Sequence, residues 1–177
     1  SPISLLTPSA DGGLLIVDRT RFLHRLDSEG KLIGSAILLP GDAMQLFSDG
    51  RILFDEGTTW KQNKITRGPV PSTPSRESGS RKFYGTNTGW AVIDDDSIKQ
   101  YQSPSPTSCA PLEASGNSGS AWIAGRDGIL RLQQANGKIS SEVELGSPAV
   151  NLHRSSRGRI LVTLADGRLC DVEEIQR

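Results

Sequence analysis

Gly158-Arg-Ile-Leu-Val-Thr-Leu-Ala-Asp-Gly-Arg-Leu169 sets a glycine before a short apolar run, a tight polar turn and a second extended run. Four upstream stretches repeat that order: Gly12-Gly-Leu-Leu-Ile-Val-Asp-Arg-Thr-Arg-Phe-Leu23, Gly50-Arg-Ile-Leu-Phe-Asp-Glu-Gly-Thr-Thr-Trp60, Gly89-Trp-Ala-Val-Ile-Asp-Asp-Asp-Ser-Ile98 and Gly119-Ser-Ala-Trp-Ile-Ala-Gly-Arg-Asp-Gly-Ile-Leu130. The leading glycines Gly12, Gly50, Gly89, Gly119 and Gly158 lie 38, 39, 30 and 39 residues apart. That period suits one four-stranded propeller blade and is too long for a leucine-rich or hexapeptide coil. The reading is an all-β chain, a β-propeller of about five blade-like antiparallel sheets, or part of a larger propeller.

The five apolar runs are continuous rather than alternating, which suits strands covered on both faces. The returning runs are Phe22–Leu26, Thr58–Gln62, Ile98–Tyr101, Ile129–Leu132 and Leu169–Val172. Asp-Gly at Asp127-Gly128 and Asp166-Gly167 supplies the positive φ of a two-residue hairpin. Outward from the turns, Ser28-Glu-Gly-Lys-Leu-Ile-Gly34 is echoed by Ala135-Asn-Gly-Lys-Ile-Ser-Ser141. Each echo leads into a third strand, Leu32–Leu39 or Ile139–Leu145, and then a fourth, Ala43–Phe47 or Ala149–His153. By that grammar Ile3–Thr7 is a fourth strand. The ring would close with a sheet shared between the two ends, or the chain is a piece of a longer propeller.

Residues 1–177 are read as a single propeller domain with loop insertions at about 68–81 and 102–118, both rich in Pro and Ser. Such insertions are either plain surface loops or a recognition edge. The chain has 177 residues, 35% of them apolar, with mean hydropathy −0.34. Nineteen glycines and ten prolines argue against long helices. Twenty basic residues balance twenty acidic ones, so no global field draws in nucleic acid. No apolar run is long enough to span a bilayer. Cys109 and Cys170 permit one disulfide, but a domain of this size does not need it, and two unpaired thiols are the favoured reading.

Leu39-Pro-Gly-Asp-Ala-Met-Gln-Leu-Phe-Ser-Asp-Gly-Arg-Ile-Leu-Phe-Asp-Glu-Gly57 resembles the repeat of bacterial sensor propellers in two-component regulators, and Trp122 stands where that repeat has its tryptophan. The resemblance implies a propeller fold and an extracytoplasmic setting, periplasmic or secreted. Asp55-Glu-Gly-Thr-Thr-Trp60 resembles the Asp box of sialidase-like and photosystem-assembly-factor propellers, with Leu53 in place of the usual serine. That motif implies a folding device in a tight turn rather than catalysis.

Sialidase-type hydrolysis needs an arginine cluster, a tyrosine nucleophile and acids, and only Tyr84 and Tyr101 could serve as nucleophile. Arg51, Arg159 and Arg168 follow turn glycines and are read as solvated charges at strand ends. His24 and His153 are isolated, and Asp94-Asp-Asp96 lacks the ligand spacing of a calcium loop. The sequence has no phosphate loop, nucleophile elbow or Cys-His cluster. Trp60, Trp90 and Trp122 either pack between blades or form an aromatic platform for a sugar or peptide. No catalytic residue, metal or cofactor is assigned, and no binding residue is singled out. The expected function is a non-enzymatic module whose loops on one face bind or scaffold another protein. The alternatives are a glycan-binding or glycosidase-like propeller, or a sensory input domain. A binding module should show an exposed apolar patch without converging acids, whereas a glycosidase should show a carboxylate pair with arginines in a pocket.

Overall fold

In the computed structural model, residues 1–62, 64–95, 97–114 and 119–173 are described. They contain strands and turns and no helix. The chain divides into two compact units, Ser1–Val70 and Pro71–Arg177.

The first unit holds two antiparallel sheets. One is β1 (Ile3–Pro8), β2 (Leu14–Asp18), β3 (Phe22–Leu26) and β4 (Ile37–Leu38). The other is β5 (Ala43–Leu46), β6 (Ile52–Phe54), β7 (Thr58–Lys61) and β8 (Lys64–Arg67). The second unit holds three more. They are β9 (Pro71–Ser78), β10 (Arg81–Thr86), β11 (Gly89–Asp94) and β12 (Ser97–Gln102); β13 (Leu112–Glu113), β14 (Ala121–Ala124), β15 (Ile129–Gln133) and β16 (Ile139–Glu144); and β17 (Ala149–Arg154), β18 (Ile160–Leu164) and β19 (Leu169–Val172). All five are meanders in chain order.

Within each unit, consecutive sheets stack face to face. Leu15, Val17 and Leu23 of the first sheet pack with Leu46, Ile52, Phe54 and Trp60 of the second. In the other unit, β14 shows why its run is continuously apolar. Ala121 and Ile123 join Phe83, Trp90 and Val92 of the third sheet, while Trp122 and Ala124 join Leu152, Ile160 and Val162 of the fifth. Side chains alternate across a strand, so a strand between two sheets needs apolar residues at every position. A buried polar link adds direction: Trp90 Nε1 donates to Gln133 Oε1 at 2.7 Å, and Gln133 Nε2 donates to the carbonyls of Gln102 and Gly137, each at 2.7 Å.

The turns differ from the expected two-residue hairpins. In the first hairpin of the second sheet, the Gly50 N–H donates to the Phe47 carbonyl at 3.0 Å and the Phe47 N–H to the Arg51 carbonyl at 2.9 Å. That is a three-residue loop, a type I turn closed by a left-handed residue. Gly50 has φ 79°, and Asp49 Oδ1 accepts the Arg51 N–H at 3.1 Å. The same two backbone bonds recur from Ser9, Asp27, Gly125, Gln134, Ser155 and Leu164. The Asp-Gly dipeptides thus serve as an amide acceptor followed by a left-handed closing position.

Four further expectations need correction. The strand before each leading glycine opens a sheet instead of ending one: β1 pairs with β2, and β5 with β6. The third repeat was phased on the wrong glycine. Gly79 precedes its second strand β10, whereas Gly89 is the first residue of the returning strand β11. The error arises because β10 begins with Arg81-Lys82, which hides its apolar half. The expected loop at 68–81 contains the eight-residue strand β9, with Arg76 opposite Phe83 and Ser75 opposite Tyr84. Proline is tolerated at Pro71 and Pro74 because β9 lies at a sheet edge and needs fewer donors. The third strand expected over Leu32–Leu39 shrinks to β4, because Gly34 turns to φ 68° and arches the chain away between Leu32 and Ile37. The strands β8, β10 and β13 have no counterpart in the sequence reading. The segment at 102–118 carries β13 and an isolated bridge from Thr107 to Gly125. Its residues 115–118 lie outside the described set.

A Cβ at Gly50 would meet nothing within 4 Å, so Gly50→Ala isolates the backbone cost. Urea unfolding should show a loss of about 1–2 kcal/mol, the cost of a left-handed non-glycine residue. An unchanged midpoint would show that the turn does not need the positive φ.

Candidate functional site

Among the described residues, the first unit carries a cleft of about 350 Å³ between its two sheets. That is the lower end of the range for ligand sites. Leu15, Leu23, Ile37 and Trp60 give it an apolar wall. Its mouth is formed by two copies of the three-residue turn, Ser9–Asp11 from the first sheet and Ser48–Gly50 from the second.

The repeat places the same ion pair on both sides of the mouth. Asp11 precedes its turn glycine and accepts from Arg25 Nη2 on β3 at 2.7 Å. Asp49 precedes Gly50 and accepts from Lys61 Nζ on β7 at 3.3 Å. The Ser9 hydroxyl, the Arg25 guanidinium and the Gly13 amide hold the Asp11 carboxyl down to about 2. The rim is therefore neutral overall: two carboxylates, two cations, and the polar Ser9, Ser48 and Gln62. Such a rim offers donors and acceptors without selecting a net charge.

Arg51 departs from its expected place. It is 4% exposed, with Nε 3.8 Å from Asp49 Oδ2, and it leads directly into the fully buried strand β6. Arg159 and Arg168 are exposed as expected and pair with Asp171 at 2.8 Å and Asp166 at 2.7 Å. The three tryptophans are buried: Trp60 is 8%, Trp90 0% and Trp122 3% exposed. All three pack in cores, and Trp60 also lines the cleft. In the Asp-box-like turn the engaged carboxylate is Glu56, which accepts from Thr58 Oγ1 at 2.8 Å.

Several acids of the second unit are tied to arginine. Arg81 bonds Glu113 at 3.0 Å and lies 3.6 Å from Asp94, while Arg131 holds Asp127 at 2.7 Å and Glu142 at 2.8 Å. Asp96, the last of the acidic run, lies outside the described residues. Tyr84 is fully buried, and burial pushes its hydroxyl far above the ordinary range. Tyr101 stacks on Trp90 with ring centroids 4.3 Å apart. His24 Nε2 lies 3.2 Å from Asp18 Oδ2, and His153 is exposed on β17. Among the described residues, no three His, Cys, Asp or Glu gather as metal ligands. Both cysteines are free, and burial pushes the Cys109 thiol up to about 11.

The cleft itself had no signal in single residues. Only the pairing of Gly−1 aspartates with a cation on the returning strand, in both of the first two repeats, could have pointed to it.

No family model and no curated protein matches the chain. Solved structures do. Hsv2 from Kluyveromyces marxianus superposes with TM-score 0.71 at 15% identity, covering 99% of this chain and 61% of that one. Hsv2 from Kluyveromyces lactis gives TM-score 0.69 at 12% identity, covering 97% and 62%. BBS1N, solved in complex with ARL6DN, gives TM-score 0.64 at 15% identity, covering 96% and 64%. These are β-propeller proteins, and the likeness establishes a β-propeller fold with about five blades in this chain. The chain spans about six-tenths of the length of these structures. Identity this low carries the fold alone, so the propeller part of the resemblance read from the sequence stands and the regulator and Asp-box families do not follow from it.

Because the folded Asp11 carboxyl lies below its ordinary value of about 4, its pairing contributes fully above that pH and is lost as pH falls through about 2. Side-chain carboxyl NMR should place its midpoint near 2, and Arg25→Ala should raise it. A midpoint near 4 in the unaltered protein would show that the rim pair does not form in solution.

Proposed function

We propose that this chain is a non-enzymatic, protein-binding propeller module that receives an extended peptide segment of its partner in the cleft of the first unit. The observation that supports this most is the composition of that cleft. Its wall is apolar, and both of its acids are held by cations from the returning strands. A glycosidase needs one carboxyl free to donate a proton and another free to attack or to activate water. Asp11, held near 2, is unsuited to donate at neutral pH. A large apolar side chain fits the wall, and the flanking peptide groups fit the neutral rim. BBS1N, which shares the fold, was solved bound to a protein, which supports the same class of partner. The alignment with Hsv2 over both units supports treating residues 1–177 as one propeller domain.

Phage-displayed random linear peptides selected on the immobilised chain provide the test. Enriched peptides should share one large apolar residue, and Ala10→Trp, which fills the mouth, should weaken them at least about tenfold, or 1.4 kcal/mol. Enrichment unaffected by Ala10→Trp would place binding elsewhere. Binding on a glycan array, with no peptide enriched, would overturn the peptide reading.

A further inference from the structure

Five copies of the three-residue turn carry a side-chain acceptor just before the glycine, and in one of them that acceptor is an amide. Asp11, Asp49, Asp127 and Asp166 accept the N–H two residues on, at 3.4, 3.1, 3.3 and 3.1 Å. In the turn between β15 and β16 that place belongs to Asn136, whose Oδ1 accepts the Lys138 N–H at 2.9 Å. The residue that closes this turn, Gly137, has φ 84°. Asn136 is exposed, and a Cβ on Gly137 would meet nothing nearer than Gln133 Nε2 at 4.0 Å, so the turn is open to water. Of the five asparagines in the chain, Asn136 alone precedes a glycine.

We infer that Asn136 is a spontaneous deamidation site, converted by water to the aspartate that the four matching turns already carry, and that the turn keeps its form in that product. The Gly137 nitrogen attacks Asn136 Cγ and closes a five-membered succinimide ring. The Cγ–Nδ2 bond breaks, and Nδ2 leaves as ammonia with the proton of the Gly137 N–H. Water then adds at Cγ, which restores the main chain and leaves a carboxylate. Addition at the Asn136 carbonyl carbon instead routes the chain through the side chain, as isoaspartate. No group is oxidised or reduced. Without a Cβ, Gly137 leaves its nitrogen free to approach, and the Lys138 N–H on Oδ1 is placed where negative charge develops during the attack. The Gly137 N–H also donates to the Gln134 carbonyl at 2.8 Å, so attack waits on a local opening, which costs little at an exposed hairpin end. The two products have different fates. The aspartate retains the Lys138 N–H bond and lies two residues from a cation, as Asp166 does from Arg168 at 2.7 Å. Isoaspartate adds a main-chain atom beside Gly137, whose carbonyl accepts from Gln133 Nε2 at 2.7 Å. Gln133 also holds buried Trp90, so displacing Gly137 pulls on a link that ends in the core.

Peptide mapping by mass spectrometry tests this on the full chain, kept folded at mildly alkaline pH. Asn136 should convert at least about tenfold faster than Asn87 or Asn151, and Asn136→Gln, which would need a larger ring, should stop conversion at this position. Thermal unfolding of Asn136→Asp should show a midpoint equal to or above that of the unaltered protein. The isoaspartate form, separated by chromatography, should melt lower. An Asn136 that stays intact until Asn87 or Asn151 has converted overturns the inference. So does a lowered midpoint for Asn136→Asp, which would show that the turn requires the amide. An isoaspartate form that melts with the unaltered protein overturns the assignment of different fates to the two products.

Discussion

A strand with apolar side chains on both faces has to lie between two other layers, and that constraint organises this protein. In β14, Ile123 is buried in one inter-sheet core and Trp122 in the next, one residue away. Exposing either face would put large apolar area in water at about 25 cal/mol per Å². Within each unit, sheets stacked face to face relieve this.

The stack also determines where polar chemistry can sit. With the strand interiors committed to the cores, charged groups gather at turns and strand ends, where the three-residue loop repeats. Five of the seven loops place an acceptor just before their left-handed closing residue (Asp11, Asp49, Asp127, Asn136 and Asp166), so the acceptor's position relative to the next strand recurs from sheet to sheet. The duplicated pairs Asp11–Arg25 and Asp49–Lys61 follow from that repetition. Two neighbouring turns then frame a cleft between them. A binding site built from repeated turns on a rigid sheet scaffold can vary its rim while its apolar wall is held by core packing.

Where apolar runs were uninterrupted, the strands were legible from the sequence alone: β6, β14 and β18 coincide with Ile52–Phe54, Ala121–Ala124 and Ile160–Leu164. Polar edge strands were not. β8 (Lys-Ile-Thr-Arg) and β9 (Pro-Ser-Thr-Pro-Ser-Arg-Glu-Ser) bury little, so hydrophobic periodicity has no purchase on them. Their strand identity comes from hydrogen bonding to a neighbour, which composition does not record. The phase of the third repeat failed for a related reason. Lys82 is 1% exposed despite its charge, and the stronger pattern one strand later, at Gly89-Trp90, took its place. The turn glycines were legible, but not the loop length they close. The site was the least legible part, since it joins residues from two repeats and none of them is unusual alone.

The central claim, that a single strand serves two cores at alternate residues, is tested most directly by side-chain NOEs from β14. The account predicts contacts from Ile123 to Phe83, Trp90 or Val92, and from Trp122 or Ala124 to Leu152, Ile160 or Val162, with the two sets separate. Contacts from Ile123 and Trp122 to the same set of partners, or sequential amide contacts of helical type through residues 121–124, would contradict it.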